Sequence, residues 1–439
     1  MSYKSKDRRT GNLFKELLPF GGRLNPENRW IKMHDLIPWD ELEGIYGKYF
    51  SRLGRPGKDS QLINGLLIVK HMLVMSDEAV VEGFLENPYV QYFCGYDQFV
   101  TGKEIESSTL TRMRKRLGAE YFKRFEDEII GILKARKIIK AKEQMIDATV
   151  CPSNIAYPTD TGLIENVRSW AVQTIKTIRK AEGIKDKVRT YCRKARAVYL
   201  KFQKKRKRTA KEIRRVKKQL LQYTKRNISQ LKKLLGNVRE LPGRTVSQIR
   251  VRLRVADEIY RQQVEMLKGN LKSIKDRIVS FHRPQVRPMV RGKSGKEVEF
   301  GPKISVSQVD GYLFLDKFSS DAYHEGAVLG ESIRLHEERF GRKAKIVITD
   351  KIYGSRENRE RLAKENIQAS LIPLGRKSVM SKVHEQWVKK KQRERNAIEG
   401  KIGTSKEHYG LSRLRYKNEE LNIRLGLLAM NLSTALAKT

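Results

Sequence analysis

The chain has 439 residues, with 92 Lys and Arg against 50 Asp and Glu, a formal net charge of +42 and a pI near 10.1. Two or three domains fit that length, and 39% hydrophobic residues suffice to bury a core; the lopsided charge favours a polyanion such as DNA or RNA over an acidic protein partner. Three cysteines (Cys94, Cys151, Cys192) without a C-x-x-C pair argue against a disulfide framework or a Cys-rich zinc site, and the absence of a bilayer-length apolar run or an apolar leader points to a soluble, intracellular protein.

Residues 1 to about 140 read as mostly helical. Asp59 to Met75 carries a dense apolar face, and Ser76-Asp77-Glu78 opens a helix that Asn87-Pro88 stops. Ser107-Ser108 caps a short helix ending at Gly118, with Leu110, Met113 and Leu117 on one face and Arg112, Lys115 and Arg116 on another. A helix-turn-helix presents such a basic helix to a DNA groove, and an ordinary surface helix has the same pattern. Gln144 to Val150 reads as the first strand.

Residues 166–290 hold 37 Lys and Arg against 8 Asp and Glu, a net +29 of the total +42. Apolar residues recur there at steps of three and four: Val167 to Ile178, Ile213 to Tyr223, and Leu253 to Ile278. These predict long amphipathic helices with coiled-coil-like seams, turned back on themselves at Gly236, Pro242 and Gly243. The runs Lys204, Lys205, Arg206, Lys207, Arg208 and Arg214, Arg215, Lys217, Lys218 are too dense for a merely solvated face, since like charges this close repel unless phosphates neutralise them.

Beyond the basic block, Lys303 to Val309 and Tyr312 to Phe318 alternate as a hairpin joined at Asp310-Gly311. A helix from Ala322 to Phe340, a buried strand from Lys345 to Asp350, a helix over 355–365, a strand from Ile367 to Ile372 and a long helix over about 383–408 complete the order βββαβαβα. Asp147 lies within the first strand. Asp350 ends a later one, where sites form in open α/β sheets, though a strand-end Asp can equally cap the next helix. Arg395, Glu399 and Lys406 share one helical face. Two strand aspartates and a helical glutamate make an oxygen-rich set suited to a pair of hard cations. Gly292-Lys293-Ser294 imitates a P-loop, but Arg287 stands where its first glycine belongs.

The run Asp147-Ala148-Thr149, the stretches Arg287 to Lys293 and Glu299 to Lys303, Asp350-Lys351-Ile352-Tyr353, and Arg395 to Gly400 with Lys406 resemble bacterial insertion-sequence transposases of the DDE class, most closely the insertion-sequence-five family. Gly54-Arg55-Pro56 to Gly95 and Ser108 to Arg112 resemble that family's N-terminal domain. The resemblance covers nearly the whole chain, least securely 166–290. It implies an α/β fold: an RNase-H-like catalytic core with a mixed five-stranded sheet (141–165 and 291–439), interrupted by a basic helical insertion (166–290) and preceded by a helical N-terminal DNA-binding domain (1–140).

It further implies two Mg²⁺ ions, or Mn²⁺, held by Asp147, Asp350 and Glu399. Arg395 and Lys406 would touch transposon-end phosphates. The partners implied are double-stranded DNA, as terminal inverted repeats and target, and a second copy of the chain at synapsis, in a bacterial cytoplasm. Family members usually carry a Tyr three residues before the Arg, linked to the flipped end base of hairpin intermediates; this chain has Gln392. Two other functions stay open: a catalytically inactive derivative acting as a repressor, and a structure-specific nuclease on the same fold.

Overall fold

The computed structural model describes residues 2–3, 23–51, 53–186, 188–290, 298–372 and 381–438, and its N-terminal helices begin where short polar side chains precede apolar runs. Asp59 accepts from the Leu62 N–H and Ser76 from the Ala79 N–H, both at 3.0 Å. After α1 (Arg29–Leu36) and α2 (Trp39–Gly47), these caps open α3 (Ser60–Met72) and α4 (Asp77–Glu86). Asn87 then caps α5 (Pro88–Phe93), which has Pro at its first position. The next helix, α6 (Ser107–Ala135), departs from expectation twice. Glu106, not a serine side chain, stands at its N-cap. Gly118, at φ 70° and ψ −176°, breaks the helix without ending it, because the apolar stripe resumes with Tyr121, Phe122, Phe125 and Ile129.

The chain divides into two compact units, Met1–Ser153 with Pro302–Thr439, and Asn154–Gly301. β1 (Glu143–Val150) belongs to the first and precedes the second in sequence. The second unit holds α7 (Asp160–Ala181), α8 (Cys192–Gln203), α9 (Ala210–Leu235) and α10 (Gly243–Lys268), with a small ribbon of β2 (Pro288–Val290) and β3 (Val298–Phe300). Its core joins Val167, Ala171 and Ile175 to Ile228, Leu231, Leu253 and Ala256. The third amphipathic stretch stops short of the expected Ile278. Gly269 caps α10, and Asn270 takes a left-handed φ of 52°. Ile278 enters the core from irregular chain.

In the first unit the sheet continues with β4 (Lys303–Val309) and β5 (Tyr312–Ser319), joined through Asp310 and Gly311, both at positive φ, as a tight hairpin requires. A 3-10 turn over Glu325–Val328 leads into α11 (Leu329–Phe340), so the helix expected from Ala322 begins later. There follow β6 (Ile346–Thr349), α12 (Arg356–Lys364), β7 (Gln368–Ala369), α13 (Lys382–Glu394), α14 (Asn396–His408) and α15 (Glu419–Leu436). The strand order is β5-β4-β1-β6-β7, with β1 antiparallel to β4 and parallel to β6, and β6 parallel to β7. This mixed five-stranded sheet with its helices is the RNase-H-like core, interrupted by the basic helical insertion and preceded by a helical N-terminal region.

Two corrections concern the C-terminal helices. The single helix expected over 383–408 is two helices meeting at Arg395. The second is α15, a helix absent from the expected order. It is apolar around most of its circumference because it packs on two sides. Leu421, Leu425, Leu428 and Leu432 join the N-terminal helical core, while Ile423, Leu427 and Met430 join Ile398 and Ile402. The buried Asn431 fastens it to β5, accepting from the Leu313 N–H and donating to the Leu313 carbonyl, each at 2.9 Å. Among the described residues no helix is long and apolar enough to cross a membrane.

A buried polar cluster fixes α3, α4 and α6 to the chain before α15. Asp77 takes a hydrogen bond from Lys70 at 2.6 Å and a forked pair from Arg114. Burial would raise the Asp77 carboxyl, but these partners outweigh it and pull it to about 2. Burial, aided by Lys70 and Arg114, pushes the His71 ring down to about 3 against the opposing Tyr409 carbonyl. The neutral ring donates from Nδ1 to that carbonyl at 3.3 Å and accepts from the Tyr416 hydroxyl at Nε2. Both groups bind protons more weakly folded than unfolded, so both contributions to stability are lost on acidification. The His71 contribution goes first, as pH falls from its ordinary 6.5 toward 3, and that of Asp77 follows between 3.8 and about 2. Denaturant titrations should therefore show stability falling from pH 7 to pH 4, with a shallower slope in His71→Gln; equal slopes would remove His71 as the source.

Candidate active site

β1 and β6 run parallel with Glu143 opposite Ile346 and Ile146 opposite Thr349. Asp147 is the next residue of β1, and Asp350, which follows Thr349, lies past the end of β6 with an extended backbone, φ −71° and ψ 161°. Neighbouring strands lie about 4.8 Å apart, and residues opposite one another face the same side of the sheet. Asp350 thus lies just past the carboxyl end of β6, where an open α/β sheet leaves room for a ligand.

Glu399 comes from a helix. Ile398 and Ile402 press α14 into a core with Ile304 and Val306 of β4, and the adjoining stripe carries Arg395, Glu399 and Lys406. The Arg395 guanidinium links two carboxylates: Nη2 donates to Glu399 Oε1 at 2.7 Å, and Nη1 lies 3.5 Å from Asp147 Oδ2. Lys406 Nζ donates to Thr149 Oγ1 at 2.8 Å, two residues along β1 from Asp147. The spacing read from the sequence thus corresponds to a row of contacts along one strand.

Burial pushes the Asp147 carboxyl above its ordinary value; the Ala148 N–H and Arg395 pull it down, and the charges of Glu325 and Glu399 push it up again. Glu325 escaped the sequence reading. It opens the 3-10 turn before α11, paired with Lys303 Nζ at 2.8 Å, and belongs to no spaced motif. Asp350 caps the 3-10 turn Lys351–Tyr353 by accepting the Lys351 N–H on Oδ1 at 2.6 Å, so the capping alternative is realised. Among the described residues, no three His, Cys, Asp or Glu side chains gather closely enough to hold a metal ion. What the structure links is Asp147 and, through Arg395, Glu399, while Asp350 directly follows Thr349, the last paired residue of β6. Their carboxylate oxygens are the donors that hard divalent cations take, and a cation would relieve the field of Glu325 and Glu399 on the half-buried Asp147.

The sequence-nominated DNA contacts divide by burial. Arg112, Lys115 and Arg116 are exposed on α6, opposite the buried Leu110, Met113 and Leu117. In the second unit Lys204, Lys205, Arg206, Lys207 and Arg208 are exposed between α8 and α9, as are Arg214, Arg215 and Lys218. Some have partners: Lys205 pairs with Glu212, and Arg208 lies 5.0 Å over the Phe202 ring. Lys217 is a correction. It is 5% exposed and donates to Asp160 at 2.9 Å, and Asp160 also binds Arg277 at 2.7 Å. The apolar stripe of α9 turns Lys217 inward between Val216 and Leu220, where it braces the helical unit. Arg291, Gly292, Lys293 and Ser294, which include the P-loop imitation, lie outside the described residues.

Residues 19–116 match the family described as Transposase domain (DUF772), and residues 347–433 match Transposase DDE domain. The second match spans Asp350, Arg395, Glu399 and Lys406. A protein of Rhizobium meliloti named "Uncharacterized protein ORF8 in nfe locus" is 36% identical over 145 residues, 32% of this chain and 69% of that protein. No solved structure matches the chain significantly.

Because Arg395 is the cation that lowers the Asp147 carboxyl against burial, its removal should raise that carboxyl further. A carbon-detected NMR titration of Asp147 in Arg395→Ala should show the upward displacement, and an unchanged titration would detach Arg395 from the site.

Proposed function

The chain belongs to the DDE-type transposase domain family, and on that premise we propose a DNA transposase of the insertion-sequence-five branch. It cuts DNA at the terminal inverted repeats of an insertion sequence and joins the freed ends to target DNA. The observation that carries this reading is the β1–β6 register, which ends with Ile146 opposite Thr349, the residues just before Asp147 and Asp350.

In this reading Asp147, Asp350 and Glu399 hold two Mg²⁺ ions, or Mn²⁺ in their place. When bound, such a pair activates a water or a 3′-hydroxyl and stabilises the leaving oxygen in an in-line attack on a phosphodiester. The chain's own residues supply the geometry. The aspartates stand on or beside strands whose spacing backbone hydrogen bonds fix, which holds them more firmly than a loop would. Arg395 offers a planar fork, and Lys406 a point charge, to the phosphates of the bound end.

Recognition falls to the exposed Arg112, Lys115 and Arg116 of a DNA-binding N-terminal domain (1–140) and to the surface cations of the insertion (166–290), excluding Lys217. Each phosphate they neutralise releases counterions, so binding weakens with salt. A homodimer brings two ends together.

The test is the purified full chain with labelled duplex carrying the inverted repeats that flank its coding region. With Mg²⁺ it should nick and join these ends, and each of Asp147→Ala, Asp350→Ala and Glu399→Ala should reduce the rate by roughly 100-fold or more. Cutting without joining would make it a nuclease, and end binding without metal-dependent cutting a repressor. Full activity in all three variants would overturn the site.

A further inference from the structure

We propose that Gln392 is a positioning residue for Asp350, clamping the strand end that carries this carboxylate; the proposal rests on the metal-site reading above. The β6–β7 ladder is short, with Ile346 opposite Gln368, Val347 opposite Ala369, and the Ser370 N–H reaching the Val347 carbonyl at 3.1 Å. Past that point the carbonyls of Thr349 and Ser370 turn to a helix for their partner. Gln392 of α13 donates from Nε2 to the Thr349 carbonyl at 3.0 Å and to the Ser370 carbonyl at 2.6 Å, with Ser370 Oγ at 3.1 Å. Thr349 and Ser370 are both buried, so water is a poor substitute for this amide.

The placement gives the amide its consequence. Thr349 immediately precedes Asp350, so the bond that ties down its carbonyl limits how far the Asp350 backbone can swing. Three residues further along the same helical segment, Arg395 contacts Asp147 and Glu399. One turn of chain therefore contacts two of the carboxylates through Arg395 and, through Gln392, the carbonyl that precedes the third. Glutamine suits the task because one side-chain NH₂ offers two hydrogens to two carbonyls. A carboxylate there would face two acceptors with none to give, and a leucine would take this donor from both carbonyls.

The test compares Gln392→Leu and the isosteric Gln392→Glu with the wild-type full chain. The first readout needs no metal: hydrogen exchange at the Lys351 N–H, the donor to Asp350. It should quicken about tenfold in Gln392→Leu while the melting temperature stays near that of the wild type. The second is Mn²⁺ affinity by electron paramagnetic resonance, expected to weaken about tenfold in Gln392→Leu. In Gln392→Glu the deficit relative to wild type should narrow on acidification, as the protonated carboxyl regains a hydrogen to donate. That second variant decides the matter if the leucine variant does not fold. Unchanged exchange at Lys351, or faster exchange with unchanged Mn²⁺ affinity, would overturn the proposal. Faster exchange in a chain whose wild type binds no Mn²⁺ would uphold the clamp and overturn the metal reading instead.

Discussion

In a parallel ladder each residue has a fixed partner on the neighbouring strand, and a slip of one place moves every side chain to the opposite face. With Ile146 opposite Thr349, Asp147 and Asp350 are the next residues of their chains, and Ile146 is left to the core with Leu329, Ile333, Val347 and Leu362. A slip by one would exchange a buried isoleucine for an aspartate. The register is also pinned by polar bonds. Gln144 donates to Ser307 Oγ at 2.8 Å and to the Ser332 carbonyl at 2.9 Å, and the Lys142 carbonyl accepts the Lys345 N–H at 2.9 Å. The candidate site thus depends on packing and pairing that lie outside it.

The helical side answers this register residue by residue. Lys391 bridges to Glu143 at the start of β1, Gln392 takes the carbonyl before Asp350, Arg395 reaches Asp147, and Lys406 reaches Thr149. α13 and α14 are thereby fixed against the strands by polar contacts at their edges and by Ile398 and Ile402 beneath. α15, sandwiched between two hydrophobic clusters, ties this arrangement to the N-terminal helices. The large positive charge is then divided between exposed cations and a few, such as Lys70, Arg114 and Lys217, that are buried in ion pairs.

What could be read from the sequence was local. Alternation marked β4 and β5, the Asp310-Gly311 turn follows from its positive φ requirement, and Gly118 marks a real break in helical geometry. The 395, 399 and 406 spacing was legible because helical periodicity fixes a face. The strand register was not, since it is decided by long-range pairing that no local pattern encodes. The break at Arg395 escaped because both its flanks are helical, and α15 because a helix buried on several sides loses the amphipathic signal. Lys217 was misread as surface because charge density says nothing about which way one side chain points. The stripe Val216, Leu220, Leu221 and Thr224 held that information. Gln392 was visible only as a departure from a family pattern, and its two carbonyl partners come from strand ends remote in sequence.

Asp147, Asp350 and Glu399 are proposed to form one cation site facing DNA. Anomalous diffraction from crystals of the full chain with inverted-repeat DNA and Mn²⁺ tests it most directly. Manganese peaks are expected about 2.1 Å from carboxylate oxygens of Asp147 and Asp350, with Glu399 completing the shell and the scissile phosphate against it. Manganese bound elsewhere, or Asp147 and Asp350 facing opposite sides of the sheet, would contradict it.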